Sequence, residues 1–183
     1  MNVAVCEYGA GNVRSVVAAF GRLGAAATVT SSPADVADAD LAVLPGVGSA
    51  ASAMAGLRER GLETALRDRV AAGQPTLGIC LGLQLALEES EEDGGVAGLG
   101  ILPGRAFRLR EGRVPRIGWA PVEPSGEAFY FAHAYAVETP AATARSEGVV
   151  AIAEHGSFVG VQFHPEKSAA AGARFLERCL SRA

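Results

Sequence analysis

Thr76-Leu77-Gly78-Ile79-Cys80-Leu81-Gly82-Leu83-Gln84-Leu85 is the stretch that decides how the chain is read. Thr76 to Ile79 is a short apolar run, Cys80 stands at a turn between Gly78 and Gly82, and Leu83, Leu85 and Leu87 open a helix. A strand therefore runs directly into a helix. Working outward, the same grammar recurs. Leu41-Ala42-Val43-Leu44 ends at Pro45-Gly46, and Met54, Leu57, Leu62, Leu66 and Val70 then mark helical segments split by Gly61. Nearer the start, Val3-Ala4-Val5-Cys6 is followed by Asn12 as an N-cap, with Val13, Val16, Val17, Phe20 and Leu23 at helical spacing until Gly24.

Strands this uniformly apolar are covered on both faces, and their alternation with helices predicts an α/β fold: a flavodoxin-like, doubly wound, mostly parallel sheet. Ligands of such sheets bind beyond the carboxyl ends of the strands. The second half reads as an antiparallel extension. Phe107 and Leu109 alternate with Arg108 and Arg110, and Ala128 to Ala132 and Val149 to Ala153 read as strands. From Phe158 to His164, Val159, Val161 and Phe163 fall on one strand face and Gln162 and His164 on the other. A last helix from about Ser168 packs through Ala173, Leu176 and Leu180, and the acidic stretch from Glu88 to Gly95 reads as an exposed loop.

The chain has 183 residues, close to the roughly 150 typical of one domain, so a single domain spanning 1–183 is expected. Hydrophobic residues make up 49% and the net charge is −4. That composition disfavours disorder and offers no cationic field for nucleic acid or an anionic membrane surface. No uninterrupted apolar run is long enough to span a bilayer, and Met1 to Cys6 meets Glu7 without the features of a signal peptide. Cys6, Cys80 and Cys179 are odd in number and widely spaced, which fits neither a disulfide framework nor a zinc site and predicts a reducing, cytoplasmic setting.

Gly78-Ile79-Cys80-Leu81-Gly82 has the form of a nucleophile elbow. A sharp turn exposes the nucleophile, glycines two before and two after relieve crowding, and the next backbone N–H faces the reacting carbonyl. The start of the following helix favours thiolate at Cys80. Cys6 in an apolar strand and Cys179 in an amphipathic helix read as structural thiols. A nucleophilic thiol needs a base and a group that orients it. His164-Pro165-Glu166 offers both, since residues two apart on extended backbone point the same way and Pro165 disfavours helix at His164. His133 and His155 lack such a neighbour. Pro45-Gly46-Val47-Gly48 is a candidate source of a second oxyanion donor. Tyr8-Gly9-Ala10-Gly11-Asn12 suggests a dinucleotide fingerprint, but Arg14 stands where the third glycine is required.

On these residues the chain resembles the class I glutamine amidotransferases. GICLGLQ from Gly78 and GVQFHPEKS from Gly160 carry that likeness. YGAGNVRSV from Tyr8, PGVGSA from Pro45, GLGILPG from Gly98, IGW from Ile117 and YFAHAY from Tyr130 are similar to the glutaminase subunits of imidazole glycerol phosphate synthase. The resemblance implies the class I glutamine amidotransferase fold and L-glutamine as substrate, with Cys80, His164 and Glu166 as nucleophile, base and orienting acid. It implies Leu81 and Val47 as oxyanion donors, and Gly46, Gly48, Gln84, Ala134 and Tyr135 around the substrate. The implied partner is a (β/α)8-barrel cyclase of histidine biosynthesis that receives the ammonia, met by Asn12, Arg14, Trp119 and Lys167. No cofactor or metal is implied. The chain departs from the family pattern at Ala134, where serine is usual, at Ala120, where asparagine is usual, at Arg116, where histidine is usual, and in a shortened 121–128 segment. A glutaminase serving another synthase, or a catalytically dead flavodoxin-like binding module, are the alternatives.

Overall fold

The computed structural model describes residues 1–9 and 12–183, so Ala10 and Gly11 of the rejected fingerprint lie outside the described residues. In chain order the elements are β1 (Asn2–Cys6), α1 (Val13–Arg22), β2 (Ala26–Thr30), α2 (Pro33–Asp38), β3 (Leu41–Leu44), α3 (Ala50–Glu59), α4 (Leu62–Ala71), β4 (Thr76–Ile79) and α5 (Leu81–Leu85). They continue with β5 (Glu89–Ser90), β6 (Val96–Ala97), β7 (Arg105–Arg108), β8 (Arg116–Val122), β9 (Glu127–His133), β10 (Tyr135–Glu138), β11 (Ala142–Ser146), β12 (Val149–His155), β13 (Phe158–Val161) and α6 (Ala169–Leu180). The main sheet has seven strands in the order β11-β12-β13-β4-β3-β1-β2. The pairs from β13 through to β2 are parallel, and β11 and β12 add the antiparallel extension.

The sheet is doubly wound because its central strands are apolar on both sides. Val3, Val5, Val43, Leu77, Ile79 and Val161 pack with Val16 and Phe20 of α1 and Phe175 and Leu176 of α6. Their neighbours Ala4, Cys6, Ala42 and Leu44 face the other way, onto Met54 and Leu57 of α3 and Leu62 and Leu66 of α4. The period of two along each strand thus feeds two separate helical layers. A four-stranded sheet (β10-β7-β5-β6) and the β8–β9 hairpin stand beside the main sheet. An aromatic cluster ties the hairpin down. Phe163 stacks on Phe129 with centroids 4.0 Å apart and meets Phe175 edge-on at 5.4 Å, a wedge that holds the backbone just before His164.

Several expectations change in the structure. β2 and α2 carry no strong apolar signal because β2 is an edge strand with only Thr30 buried and α2 buries only Val36. The strand from Phe158 stops at Val161, although Val159, Val161 and Phe163 do share one side as the alternation requires. α6 buries Gly172, Phe175, Leu176 and Cys179, and Leu180 packs partly buried against the same core as expected, whereas Ala173 is not part of that packing. The 88–95 stretch is no free loop: it forms β5 and a 3-10 turn at Glu92–Gly94. The helix after Cys80 ends at Leu85, short of Leu87, because the carbonyls of Leu85, Ala86 and Leu87 accept from the N–H groups of Leu99 to Leu102 instead of continuing a helical ladder.

At the sheet edge away from Cys80, Arg69 is only 2% exposed. Its Nε and Nη2 donate to Pro75 O at 3.1 and 3.0 Å, its Nη1 to Val36 O and Ala37 O at 2.8 and 3.1 Å, and its Nη2 also to Asp40 O at 3.0 Å. All five guanidinium hydrogens are thereby used. They staple the end of α2 and the turns entering β3 and β4 to α4. Burial lowers the pKa of the group, with Cys6 and Asp40 acting in the opposite direction. Arg69→Met leaves those carbonyls unpaired, and an unsatisfied buried polar group costs roughly 1–3 kcal/mol. We expect a loss of at least about 3 kcal/mol in chemical denaturation. A loss below about 1 kcal/mol would mean that the staple carries no stability.

Candidate active site

Cys80 sits at the carboxyl end of β4 with φ +53°, ψ −105°. A non-glycine residue held there is strained by about 1–3 kcal/mol, so the surroundings must impose it. They do. The Cys80 N–H donates to Val161 O at 2.7 Å, and the Cys80 carbonyl accepts from Leu83 N and Gln84 N. The flanking glycines are sterically required: a Cβ on Gly82 would lie 1.9 Å from Leu44 O, and one on Gly78 would lie 2.7 Å from the Phe158 ring. The elbow read from the sequence is present, although five-residue α5 gives the thiol only a short helix dipole.

His164 enters from the neighbouring strand. Beyond β13, its N–H donates to Tyr130 O at 2.8 Å, and its ring Nδ1 lies 2.9 Å from Glu166 Oε1. Both side chains are 2% exposed. The pairing expected from the sequence is formed, but not by extended backbone. Pro165–Lys167 is a 3-10 turn that folds Glu166 back beneath the ring. Ser168 fixes that turn: its hydroxyl accepts from Tyr130 N at 2.9 Å and donates to His164 O at 2.7 Å. The sequence reading missed Ser168, whose signal is its position closing the GVQFHPEKS motif.

The electrostatics favour a charged ring. Burial pushes the pKa of His164 down, but the Cys80 sulfur and the Glu166 carboxylate outweigh it and raise the value to about 9. His133 behaves oppositely. Burial is the largest cause that holds it down to about 4, and its Nδ1–H donates to Tyr135 O at 2.8 Å. The two histidines are therefore separated by environment into a cation and a neutral ring. Cys6 and Cys179 are each pushed up to about 12, mainly by burial, consistent with structural thiols.

The Pro45–Ser49 loop lies against the elbow. A Cβ on Gly46 would come within 2.6 Å of Leu81 Cβ and 2.8 Å of the Tyr8 hydroxyl, and Gly48 has φ +108°. Tyr8 donates its hydroxyl hydrogen to Pro45 O, while Val47 is 42% exposed. Behind the loop, Glu92 Oε2 accepts from Ala50 N at 2.9 Å, and Asp93 Oδ2 accepts from Ser49 Oγ at 2.7 Å and from Ala51 N at 3.1 Å. Burial raises the pKa of Glu92, whereas the Ser49 hydroxyl lowers that of Asp93. These two carboxylates cap α3 and so anchor the loop. They escaped the sequence reading because their partners lie some forty residues away.

Gln84 is buried, and its Nε2 donates to Tyr135 O at 2.9 Å, so Gln84 and Tyr135 meet. Ala134 is half-buried beside them. Trp119 is 55% exposed on β8 and packs edge-on against Tyr130 at 6.2 Å, and Lys167 Nζ lies 5.9 Å from the same ring. Arg14 is exposed on α1 and Asn12 is half-buried just before it. Arg116 lies over the Phe131 ring at 4.1 Å and donates to Ser146 Oγ at 2.8 Å. Among the described residues no group of His, Cys, Asp and Glu is arranged to hold a metal ion, and no helix is long and apolar enough to cross a membrane.

A family model for class I glutamine amidotransferases matches residues 4–183. The chain is 44% identical to the imidazole glycerol phosphate synthase subunit HisH of Symbiobacterium thermophilum, over 95% of this chain and 91% of that one. It is 45% identical to the HisH subunit of Methanothermobacter thermautotrophicus, over 93% of each chain. Among solved structures, a glutamine amidotransferase superposes with TM-score 0.81 at 23% identity, covering 98% of this chain and 97% of that chain. The PurLQS structure from Thermotoga maritima gives TM-score 0.75 at 16% identity, covering 99% and 97%. These last two show the fold alone. With a nucleophile elbow, a carboxylate-backed histidine and this likeness over nearly its full length, the chain belongs to the class I glutamine amidotransferases, within the HisH family of imidazole glycerol phosphate synthase subunits.

Proposed function

We propose that this glutamine amidotransferase hydrolyses L-glutamine at Cys80, with His164 and Glu166 completing the triad, and delivers the ammonia to a (β/α)8-barrel cyclase. The observation that carries the reading is the convergence at one sheet rim of a strained, buried thiol and an imidazole backed by a carboxylate 2.9 Å away. Cys80 sulfur attacks the amide carbon of the glutamine side chain. The carbon–nitrogen bond breaks as His164 gives its proton to the leaving nitrogen, yielding ammonia and a γ-glutamyl thioester. A water then attacks the thioester carbon, His164 takes its proton, and the carbon–sulfur bond breaks to release glutamate. Glu166 keeps the ring oriented in both steps and favours its charged form until the proton passes to the leaving nitrogen.

Each tetrahedral intermediate carries an oxyanion. The Leu81 N–H at the start of α5 and the Val47 N–H are the proposed donors, supported by the close packing of Gly46 on Leu81. Losing one such donor costs about 3–4 kcal/mol of transition-state stabilisation. Gly46, Gly48, Gln84, Ala134 and Tyr135 are the proposed walls of the glutamine site. Ammonia released into water near neutral pH is mostly protonated and no longer nucleophilic, so it needs a sheltered path to its acceptor. Trp119, Lys167, Asn12 and Arg14 are proposed to meet the cyclase. The exposed apolar side chains of Ile117, Trp119 and Val47 support a docking face there. We place the whole chain as one glutaminase domain working in the cytoplasm.

Cys80→Ser is expected to reduce glutamine-dependent synthesis by the chain plus cyclase below about a thousandth of the parent rate, while added ammonium salt still supports the cyclase. Retained glutamine use would remove Cys80 from the nucleophile role. The pH profile tests the triad separately. Because the thiol and Glu166 hold the His164 proton up to about 9, glutaminase activity should fall on an alkaline limb near that pH, where the ring can no longer protonate the leaving nitrogen. Glu166→Gln should move the limb to lower pH and cut kcat by about a hundredfold or more. An unmoved limb would show that Glu166 does not act on the ring.

A further inference from the structure

Gln162 is fully buried two residues before His164, and no role is yet given to it. Its position is fixed by the fold: its N–H donates to Ala151 O of β12 at 2.9 Å. Its side-chain amide stands between two residues of the site. Gln84 Nε2 donates to Gln162 Oε1 at 3.2 Å, and Gln162 Nε2 donates to the Cys80 sulfur at 3.6 Å.

Donor and acceptor bookkeeping sets the direction of this relay. Tyr135 O is a carbonyl and can only accept, so Gln84 must turn its NH2 toward it, as it does at 2.9 Å. The second hydrogen of that NH2 then faces Gln162, which must answer with its carbonyl oxygen. Only one orientation remains for the Gln162 amide, and it aims an N–H at the sulfur. Reversing the Gln162 amide would set NH2 against NH2 at Gln84 and a carbonyl oxygen against the sulfur. The chain of bonds therefore imposes a donor on Cys80 from a fully buried side chain, in a place closed to water. An N–H donor to an anionic sulfur is a charge-assisted bond and favours the anion over the neutral thiol.

We propose that Gln162 is a further catalytic residue: its amide, locked by Gln84 and the Tyr135 carbonyl, donates to the Cys80 sulfur, stabilises it as thiolate and aims it at the substrate carbon. The proposal rests on the reading of Cys80 as nucleophile, but it is tested on the thiol itself, without glutamine. The rate of Cys80 alkylation by iodoacetamide is followed against pH by mass spectrometry of the Cys80 peptide, which keeps Cys6 and Cys179 out of the readout. Gln162→Met removes the donor at nearly constant volume, and the profile should move up by about one pH unit. Gln162→Glu keeps the acceptor for Gln84 and puts a carboxylate against the sulfur, so the profile should move further in the same direction. In steady-state glutamine hydrolysis, Gln162→Met should lower kcat about tenfold with KM within about twofold, as for a group acting on the reacting atom rather than on ground-state binding. Gln84→Leu, which frees the Gln162 amide to turn, should give a smaller upward shift. Should Gln162→Met not fold, the Gln162→Glu profile decides. Profiles that coincide with the parent in the folded variants overturn the proposal. A shifted profile together with glutamine hydrolysis surviving in Cys80→Ser would instead leave the donor in place and remove the nucleophile reading.

Discussion

The hydrogen bond from Cys80 N to Val161 O, 2.7 Å long, is the constraint on which the site depends. It extends the parallel ladder of β4 and β13 by one residue, with Ile79 opposite Val161. Past that bond both chains leave the sheet on the same rim. One turns sharply into α5 and presents a sulfur. The other continues through Gln162 and Phe163 to His164. Two residues separated by more than eighty positions are thus adjacent because two buried strands are neighbours in register, and no long-range ion pair is needed to bring them together. The constraint is costly for the backbone of Cys80, whose left-handed φ is tolerated because Gly78 and Gly82 leave room where any side chain would collide.

The buried triad also has an electrostatic problem, since taking an imidazolium out of water is unfavourable by several kcal/mol. Here the Glu166 carboxylate and the Cys80 sulfur offset that penalty, and the net result is a proton bound more tightly than in water. The same low-polarity surroundings keep His133 neutral. Both histidines are buried, yet they differ in charge, so burial alone does not set it. What differs is the partner: a carboxylate and a sulfur for one ring, a carbonyl and the nearby Arg116 guanidinium for the other.

Much of this was legible in the sequence. The apolar runs 3–6, 41–44 and 76–79 gave the parallel core because strands buried on both faces have no polar residues to hide their limits. The Gly-x-Cys-x-Gly spacing located the elbow because its glycines are required by distances of 3 Å or less. The pairing of His164 with Glu166 was legible, although the 3-10 turn that makes it was not, since Pro165 suits either conformation. What stayed hidden depends on distant partners. Glu92 and Asp93 looked like solvated acids until α3 supplied N–H groups to cap. The end of α5 is set by Leu99 to Leu102, and Arg69 looked like one of fifteen surface arginines before the fold closed four carbonyl groups around it. Gln162 fell on the predicted face, but a strand pattern carries no word about which way an amide turns.

The most direct test of the central claim is covalent capture. A glutamine-derived chloroketone, applied to the folded chain and located by peptide mass spectrometry, should add once per chain at Cys80, and its rate should collapse in His164→Ala. Labelling spread over Cys6 or Cys179, or a rate at Cys80 indifferent to the loss of His164, would contradict a sulfur and an imidazole working as a pair.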